Sequence, residues 1–146
     1  MIRLEDVDAG NWRTPLKVSK AQEKYVANST TILARAYAYR NARSQALLIY
    51  EGETPVGMVM YHDETSMDAY IFSEFFIDER FQGKGYGRAA TKLVLDRMKE
   101  DGKYNKVVLC YIEGNDAAKK LYEGFGFVET DRDEDEIIME LRSSWS

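Results

Sequence analysis

The feature that most constrains the fold is a glycine-rich loop at residues 82–87 (Gln-Gly-Lys-Gly-Tyr-Gly), between a predicted strand and a predicted helix. Residues 66–78 are rich in aromatic and β-branched side chains, which is typical of a strand buried on both faces. Residues 87–101 carry apolar side chains at spacings of three and four, which indicates an amphipathic helix. The loop therefore predicts a tight connection from strand to helix.

This loop has the chemistry of an anion site. Its glycines allow the backbone to approach a ligand closely and to adopt positive φ. The first turn of the following helix offers unpaired N–H groups and a partial positive charge. Lys84 and Arg88 add two cations, and a cation at a helix N-terminus is unfavourable unless an anion offsets it. We therefore expect the loop to bind a phosphate group.

The loop by itself leaves alternatives open. It lacks the Gly-x-x-x-x-Gly-Lys-Ser/Thr pattern, which excludes a P-loop NTPase. Gly85, Gly87 and Ala90 do match a dinucleotide fingerprint, and Glu113 lies near the end of the next predicted strand, where a Rossmann domain has an acid. Only residues 113–146 follow that strand, too few for a second mononucleotide-binding half. A Rossmann-like nucleotide binder and a purely connecting turn remain as alternatives.

The rest of the chain predicts short strands and helices. Helices are expected at residues 20–40, capped by Ser19, and at 115–123; Asn28 is a second candidate cap that would divide the first helix in two. Further strands are expected at residues 2–4, 45–50, 56–62, 106–112 and 136–141, the last after an acidic turn at 131–135. A parallel crossover would join the strand that ends at Asp78 to the strand at 106–112.

Composition limits the classes of function. A length of 146 residues suits one domain, and a net charge of -5 argues against a nucleic-acid partner. No stretch approaches the ~20 apolar residues of a membrane span, and the first residues lack an apolar signal segment, so a cytoplasmic protein is expected. No cluster of residues has metal-ligand spacing, so no metal is expected. Cys110 is expected to be buried, and His62 to lie at the surface without a catalytic role.

A second motif, at residues 115–127, reads Asn-Asp-Ala-Ala-Lys-Lys-Leu-Tyr-Glu-Gly-Phe-Gly-Phe. Together with the 82–87 loop, it resembles the acetyl-CoA motifs of the GCN5-related N-acetyltransferases (the GNAT superfamily). The matching residues are Gln82, Gly85 and Gly87 in the first motif, and Asn115, Ala118, Leu121, Tyr122, Gly126 and Phe127 in the second. Trp12 and residues 22–28 and 73–78 also look like those of bacterial spermine/spermidine acetyltransferases.

The resemblance implies a fold and a cosubstrate. Residues 1–146 would form a single α/β N-acetyltransferase domain, whose mixed, mostly antiparallel sheet has a central splayed parallel strand pair and flanking helices. Acetyl-CoA would be the cosubstrate, with no metal. The residues implied in its binding are Phe76, Ile77, Gln82, Gly83, Lys84, Gly85, Tyr86, Gly87, Arg88, Asn115, Ala118 and Tyr122.

Each group of these residues would bind a different part of acetyl-CoA. Backbone N–H groups of residues 83–88 would hold the pyrophosphate. The strand before the loop would pair with the pantetheine amides, and the N–H of Phe76 or Ile77 would polarise the thioester carbonyl. Asn115 would bond the pantetheine arm, serve as a helix cap, or do both.

The resemblance also implies catalytic roles. Tyr122 would protonate the departing thiolate, although periodicity alone indicates a core aromatic residue. Glu74 is the candidate base, acting directly or through a water. It could instead bind a cationic amine, or be a solvated or ion-paired carboxylate.

The implied function is transfer of an acetyl group from acetyl-CoA to a primary amine of a small molecule, for example the polyamines spermidine or spermine. The alternatives are a non-catalytic acyl-CoA-binding or sensor module, and acetylation of a peptide or protein amine. The expected partners are acetyl-CoA and a small amine, with no nucleic acid and no membrane; a homodimer is also expected.

Overall fold

The computed structural model describes residues 1–142, whose strands form one sheet with α-helices on both faces. The strands are β1 (Ile2–Asp6), β2 (Gln45–Glu51), β3 (Thr54–Glu64), β4 (Ala69–Ile77), β5 (Lys106–Ile112), β6 (Val128–Asp133) and β7 (Glu136–Arg142). The helices are α1 (Ser29–Ala38), α2 (Tyr86–Asp101) and α3 (Asp116–Glu123). Short 3₁₀ turns lie at Lys20–Gln22, Arg40–Ala42, Thr65–Met67 and Glu79–Phe81.

The strands lie in the order β1-β2-β3-β4-β5-β7-β6. All neighbouring pairs among them are antiparallel except β4 and β5, which are parallel and joined by a crossover through α2. The predicted mixed, mostly antiparallel sheet with a central parallel pair is therefore confirmed. A Rossmann domain needs a mainly parallel sheet, so that alternative is wrong.

Each face of the sheet has its own apolar core. On the face that we call the α2 face, Val94 and Met98 of α2 pack with Val107 of β5, and α3 lies on the same side. On the opposite face, the α1 face, Ile32 of α1 packs with Phe76 of β4. The two cores hold the sheet from both sides.

The segment at residues 20–40 is not one helix, as its spacing predicts, because α1 begins only at Ser29. Asn28 caps it by accepting a hydrogen bond from the Thr31 N–H at 2.9 Å, so the second candidate cap is the true one. Ser19 makes no side-chain cap, and only a 3₁₀ turn follows it. Residues 23–27 are thereby left as a connection between this turn and the cap of α1.

The acidic turn predicted at residues 131–135 is partly wrong. Residues 131–133 belong to β6, an edge strand that pairs with β7 and is exposed along its whole length. A strand with no buried face shows no alternation of apolar and polar side chains, so its sequence resembles a turn. Its charged side chains suit an exposed sheet edge.

We expect Met98→Ala to lower the free energy of unfolding by about 2–5 kcal/mol, because Met98 is fully buried in the α2-face core and its truncation leaves a cavity. Urea denaturation measures this. Lys92→Ala, an exposed position on the same helix, should change the free energy of unfolding by no more than about 0.5 kcal/mol. Equal effects of the two substitutions would contradict the described packing of α2.

Candidate active site

The main cavity opens where β4 and β5 part. Only two residue pairs join these strands, Tyr70 with Val107 and Ile71 with Val108. Beyond them a cavity of about 690 Å³ lies between the strands, within the range of small-molecule sites. Its walls come from β4, β5, residues 22–27, the 82–87 loop and α3.

A β-bulge in β4 decides which side of this gap each side chain faces. Met60 pairs with Glu74 and Tyr61 pairs with Phe72, so Ser73 is an extra residue in β4. An inserted residue reverses the alternation of side chains along a strand. Phe72 therefore points to the α2 face, and Glu74 points to the α1 face.

The glycine loop has the backbone shape that its sequence predicts. Gly83 and Gly85 have φ of 76° and 83°, in the left-handed region that favours glycine. Gly85 is the N-cap of α2 and has no side chain to cap it, so the first N–H groups of the helix remain available to a ligand. Gly83, Gly85, Tyr86 and Gly87 line the cavity.

The two cations of the loop are placed differently from its backbone. Neither Lys84 nor Arg88 lines the cavity. The guanidinium of Arg88 lies 4.9 Å from the centre of the Phe125 ring, a cation–π contact that ties α2 to the end of α3. Its charge remains near the first turn of α2, but its side chain has a structural partner.

Asp78 anchors the start of the loop. Its carboxylate is fully buried and accepts hydrogen bonds from the backbone N–H groups of Lys17 and Arg80 and from the Arg80 side chain. Burial acts to raise the pKa of Asp78, but the hydrogen bonds from Arg80 and Lys17 outweigh it and lower that pKa. The loop therefore leaves β4 from a fixed point.

Gln82 connects the loop to the segment across the cavity. Its Nε2 donates to the Ile77 carbonyl at 3.0 Å and to Oε1 of Gln22 at 2.9 Å. At the other side of the cavity, the Tyr25 hydroxyl lies 3.0 Å from where a Cβ on Gly114 would be. Residues 22–27, which we call the bridging segment, thus span the cavity from the glycine loop to the turn before α3.

Helix α3 brings Asn115, Ala118 and Tyr122 to the cavity. Asn115 caps the helix by accepting a hydrogen bond from the Ala118 N–H at 3.3 Å, as its position predicts. The Tyr122 ring packs edge-on against Phe72 and Phe127, each with ring centres 5.8 Å apart. Tyr122 therefore packs in the α2-face core and also lines the cavity.

The electrostatics around Tyr122 keep its hydroxyl protonated. Burial raises the pKa of Tyr122, and the nearby Cys110 and Glu74 raise it further because a phenolate beside them would be repelled. The side chain is only 7% exposed. A neutral phenol at the wall of a cavity can donate a proton or a hydrogen bond.

Glu74 lies on the opposite side of the gap and is 10% exposed. Its Oε1 accepts a hydrogen bond from Nη1 of Arg35, on α1, at 2.7 Å. Burial raises the pKa of Glu74 above its ordinary value, although Arg35 acts in the opposite direction. Of the interpretations of Glu74, the ion pair is therefore present in this state.

Gln22 and Tyr25 belong to the 22–28 stretch that the resemblance singled out, whereas Arg35 and Glu136 line the cavity without any signal in the sequence motifs. The position of Cys110 at the cavity could have been predicted from the alternation of side chains along β5. Since Leu109 and Tyr111 face the α2 core, Cys110 must face the other way, where α1 does not cover β5. The expectation of a buried Cys110 is wrong, because it is exposed to the cavity.

His62 also differs from its expected place. It is buried rather than at the surface, with its ring stacked on Tyr39 at 4.4 Å between centres. It does not line the cavity.

In the part of the chain that the structure covers, no group of three or more His, Cys, Asp or Glu side chains is arranged to hold a metal ion. No helix within residues 1–142 has the length and apolar character to cross a membrane.

Comparison with known proteins agrees with this geometry. The model of the acetyltransferase (GNAT) family matches residues 9–127. The spermine/spermidine N(1)-acetyltransferase of Bacillus subtilis (strain 168) is 34% identical over 118 residues, which are 77% of this chain and 76% of that protein.

Solved structures agree on the fold. The spermidine N-acetyltransferase from Vibrio cholerae, crystallised with CoA and spermine, superposes with a TM-score of 0.78 at 20% identity, over 98% of this chain and 96% of that one. The ribosomal-protein-S18-alanine N-acetyltransferase from Escherichia coli gives a TM-score of 0.76 at 18% identity, over 97% and 94% of the two chains.

The parted parallel strands, the glycine loop and the family match together define the class: the chain belongs to the acetyltransferase (GNAT) family. It is an acetyl-CoA-dependent N-acetyltransferase.

We expect Gly85→Ala to weaken acetyl-CoA binding and to lower the free energy of unfolding by about 1–2 kcal/mol, because alanine is strained at positive φ. Calorimetric titration and urea denaturation measure the two effects. Gly52→Ala is the matched control: Gly52 also has positive φ and open space around it, but lies in the β2–β3 turn. It should lose stability and keep its acetyl-CoA affinity. Unchanged affinity in Gly85→Ala would contradict the role of the loop.

Proposed function

We propose that the enzyme acetylates a primary amine of a small molecule, and that this acceptor is a polyamine such as spermidine or spermine. The observation that carries the proposal is a largely buried carboxylate, that of Glu74, in the wall of the cavity beside the gap between β4 and β5. A second carboxylate, Glu136, lines the same cavity. Carboxylates in a partly dry site favour a cationic ligand, and the Bacillus subtilis relative bears a polyamine acetyltransferase name.

The bridging segment supports a small acceptor over a folded protein. It contacts Gln82 on one side of the cavity and packs Tyr25 against Gly114 on the other. An acceptor must therefore enter beneath or beside a span of chain, which suits a slender amine. A peptide or protein amine is the second candidate, and the shared fold of the S18-alanine acetyltransferase is its support.

For the cosubstrate, we assign the pyrophosphate of CoA to the N–H groups of residues 83–88. The N–H of Asp78 donates to the Val56 carbonyl on β3 at 2.7 Å. Because successive N–H groups of a strand point in opposite directions, the Phe76 N–H also faces β3, and the Ile77 N–H faces the gap. This favours Ile77 over Phe76 as the donor to the ligand. Asn115, Ala118 and the backbone of β4 would flank the pantetheine arm.

The proposed reaction is a direct transfer. The ammonium of the acceptor loses a proton, for which Glu74 is the proposed base, directly or through a water. The amine nitrogen then forms a bond to the thioester carbonyl carbon, and the carbon–sulfur bond breaks. Tyr122 gives its proton to the departing CoA thiolate, which leaves as the thiol. The newly acetylated nitrogen loses its second proton, which restores the Tyr122 phenol, so that the products are the amide, the CoA thiol and one proton held by Glu74.

We expect Tyr122→Phe to lower kcat by about 10²-fold or more, because general acid help to the leaving thiolate is lost. The acetyl-CoA affinity should stay nearly unchanged, since the ring still packs on Phe72 and Phe127. Release of the CoA thiol under saturating substrates measures kcat. Tyr111→Phe, another buried tyrosine of the same cavity, is the control and should retain kcat within a few-fold. An unaltered kcat in Tyr122→Phe would remove Tyr122 from the mechanism.

We expect spermidine and spermine to give a higher kcat/KM than short diamines, and amino acids to give the lowest, because the acceptor side presents carboxylates to a cation. A panel of these amines with acetyl-CoA, followed by CoA release, measures the order. Rapid acetylation of peptide N-termini with no turnover of polyamines would favour the second candidate.

The remaining assignments are also proposals. We infer that residues 1–146 act as one N-acetyltransferase domain in the cytoplasm, as a homodimer. The Vibrio cholerae enzyme has been crystallised as a dodecamer, so sedimentation equilibrium of this chain is the direct check of the dimer.

A further inference from the structure

The ion pair between Arg35 and Glu74 is unlike two other arginine–carboxylate contacts among the described residues, those made by Arg43 and by Arg80, in which the guanidinium binds both oxygens of a carboxylate. Arg43 makes four hydrogen bonds, two to Asp63 and two to Asp101, and so binds both oxygens of each carboxylate. Such paired contacts are strong and geometrically fixed. They join Asp63 of β3 to Asp101 at the end of α2, which is a structural function.

Arg35 makes a single hydrogen bond to one oxygen of Glu74. Its side chain is 52% exposed, whereas that of Glu74 is 10% exposed. Within residues 1–142, the Oε2 atom of Glu74 accepts no hydrogen bond, although an ionised carboxylate can accept several. Breaking the single hydrogen bond of an exposed arginine costs little free energy. Leaving a largely buried carboxylate without a cation costs much more.

Both side chains also line the cavity that the cosubstrate and acceptor must share. Arg35 reaches Glu74 from α1, while Cys110 and Glu136 border the cavity from β5 and β7. An acceptor amine that arrives as an ammonium carries the same charge as Arg35 and needs the same carboxylate. The two cations therefore compete for Glu74.

We propose that Arg35 is a specificity-determining residue, whose guanidinium occupies the place of the acceptor's ammonium group at Glu74 and leaves when a cationic amine binds. This rests on the proposed function, in which Glu74 receives the amine. Arg35 keeps the buried carboxylate paired while the site is empty. Arg35 also disfavours neutral acceptors, because an acceptor without a positive charge cannot replace the guanidinium at Glu74.

The test compares Arg35→Met with the wild type in steady-state kinetics with spermidine at saturating acetyl-CoA. Methionine keeps an unbranched stem and a similar helix propensity but removes the charge. We expect the KM for spermidine to fall about three- to tenfold, the size of a partly exposed ion pair. The KM for acetyl-CoA should not change. Arg35→Lys, which retains the charge, should restore a KM near that of the wild type.

Lys24→Met is the matched control. Lys24 lines the same cavity and contributes the same charge, but its Nζ lies over the Tyr25 ring and not on Glu74. A fall in KM limited to Arg35→Met, and absent when Arg35→Met is added to Glu74→Gln, supports the competition. An equal fall in Lys24→Met would show a general charge effect and would overturn the proposal.

An unchanged or increased KM in Arg35→Met, with normal turnover by the wild type, overturns the role of Arg35 and leaves the proposed function standing. If the wild type does not acetylate spermidine, the dissociation constant of spermidine for the CoA-saturated protein gives the same comparison by calorimetry. Absence of both turnover and binding overturns the polyamine acceptor, and the proposal for Arg35 with it.

Discussion

The architecture depends on the parting of two parallel strands. Backbone N–H and C=O groups inside a sheet need partners, and most strands here find them in a neighbouring strand. After Ile71 and Val108, β4 and β5 no longer pair with each other, so they do not exchange backbone hydrogen bonds there. Their free edges face a cavity, where an extended ligand with amide groups can pair with them as a strand would. The glycine loop follows β4 and leads into α2, so the first turn of this helix lies at the same cavity.

The bulge at Ser73 adds a second division, across the sheet instead of along it. Without the extra residue, Glu74 would share a face with Phe72 and Tyr122. With it, the phenol and the carboxylate lie on opposite sides of the gap. A group held between β4 and β5 can thus meet a proton donor on one side and an acceptor on the other. One inserted residue separates two chemical tasks that would otherwise compete for one surface.

The sequence predicts those parts of the fold and the site that depend on neighbouring residues along the chain. Helix α2 combines a periodic apolar stripe with glycines at both ends, and Asn115 begins α3 as its type predicts. Strand β6 gave no such signal, because neither of its faces is buried. Arg35 could not be found either: its partner is 39 residues away, and the bulge that turns Glu74 toward it depends on how β3 and β4 align. Contacts that arise only from tertiary pairing leave no pattern in a single chain.

Gln82 has a further consequence for how such an enzyme can change. One amide side chain bonds both to the end of β4 and to Gln22 in the bridging segment. The bridging segment and the glycine loop are therefore joined by one side chain. Under the proposed function, in which residues 22–27 border the acceptor, a substitution of Gln22 would also remove a hydrogen bond from Gln82 in the glycine loop. Engineering a different acceptor into this scaffold has to begin by replacing the hydrogen bond between Gln82 and Gln22.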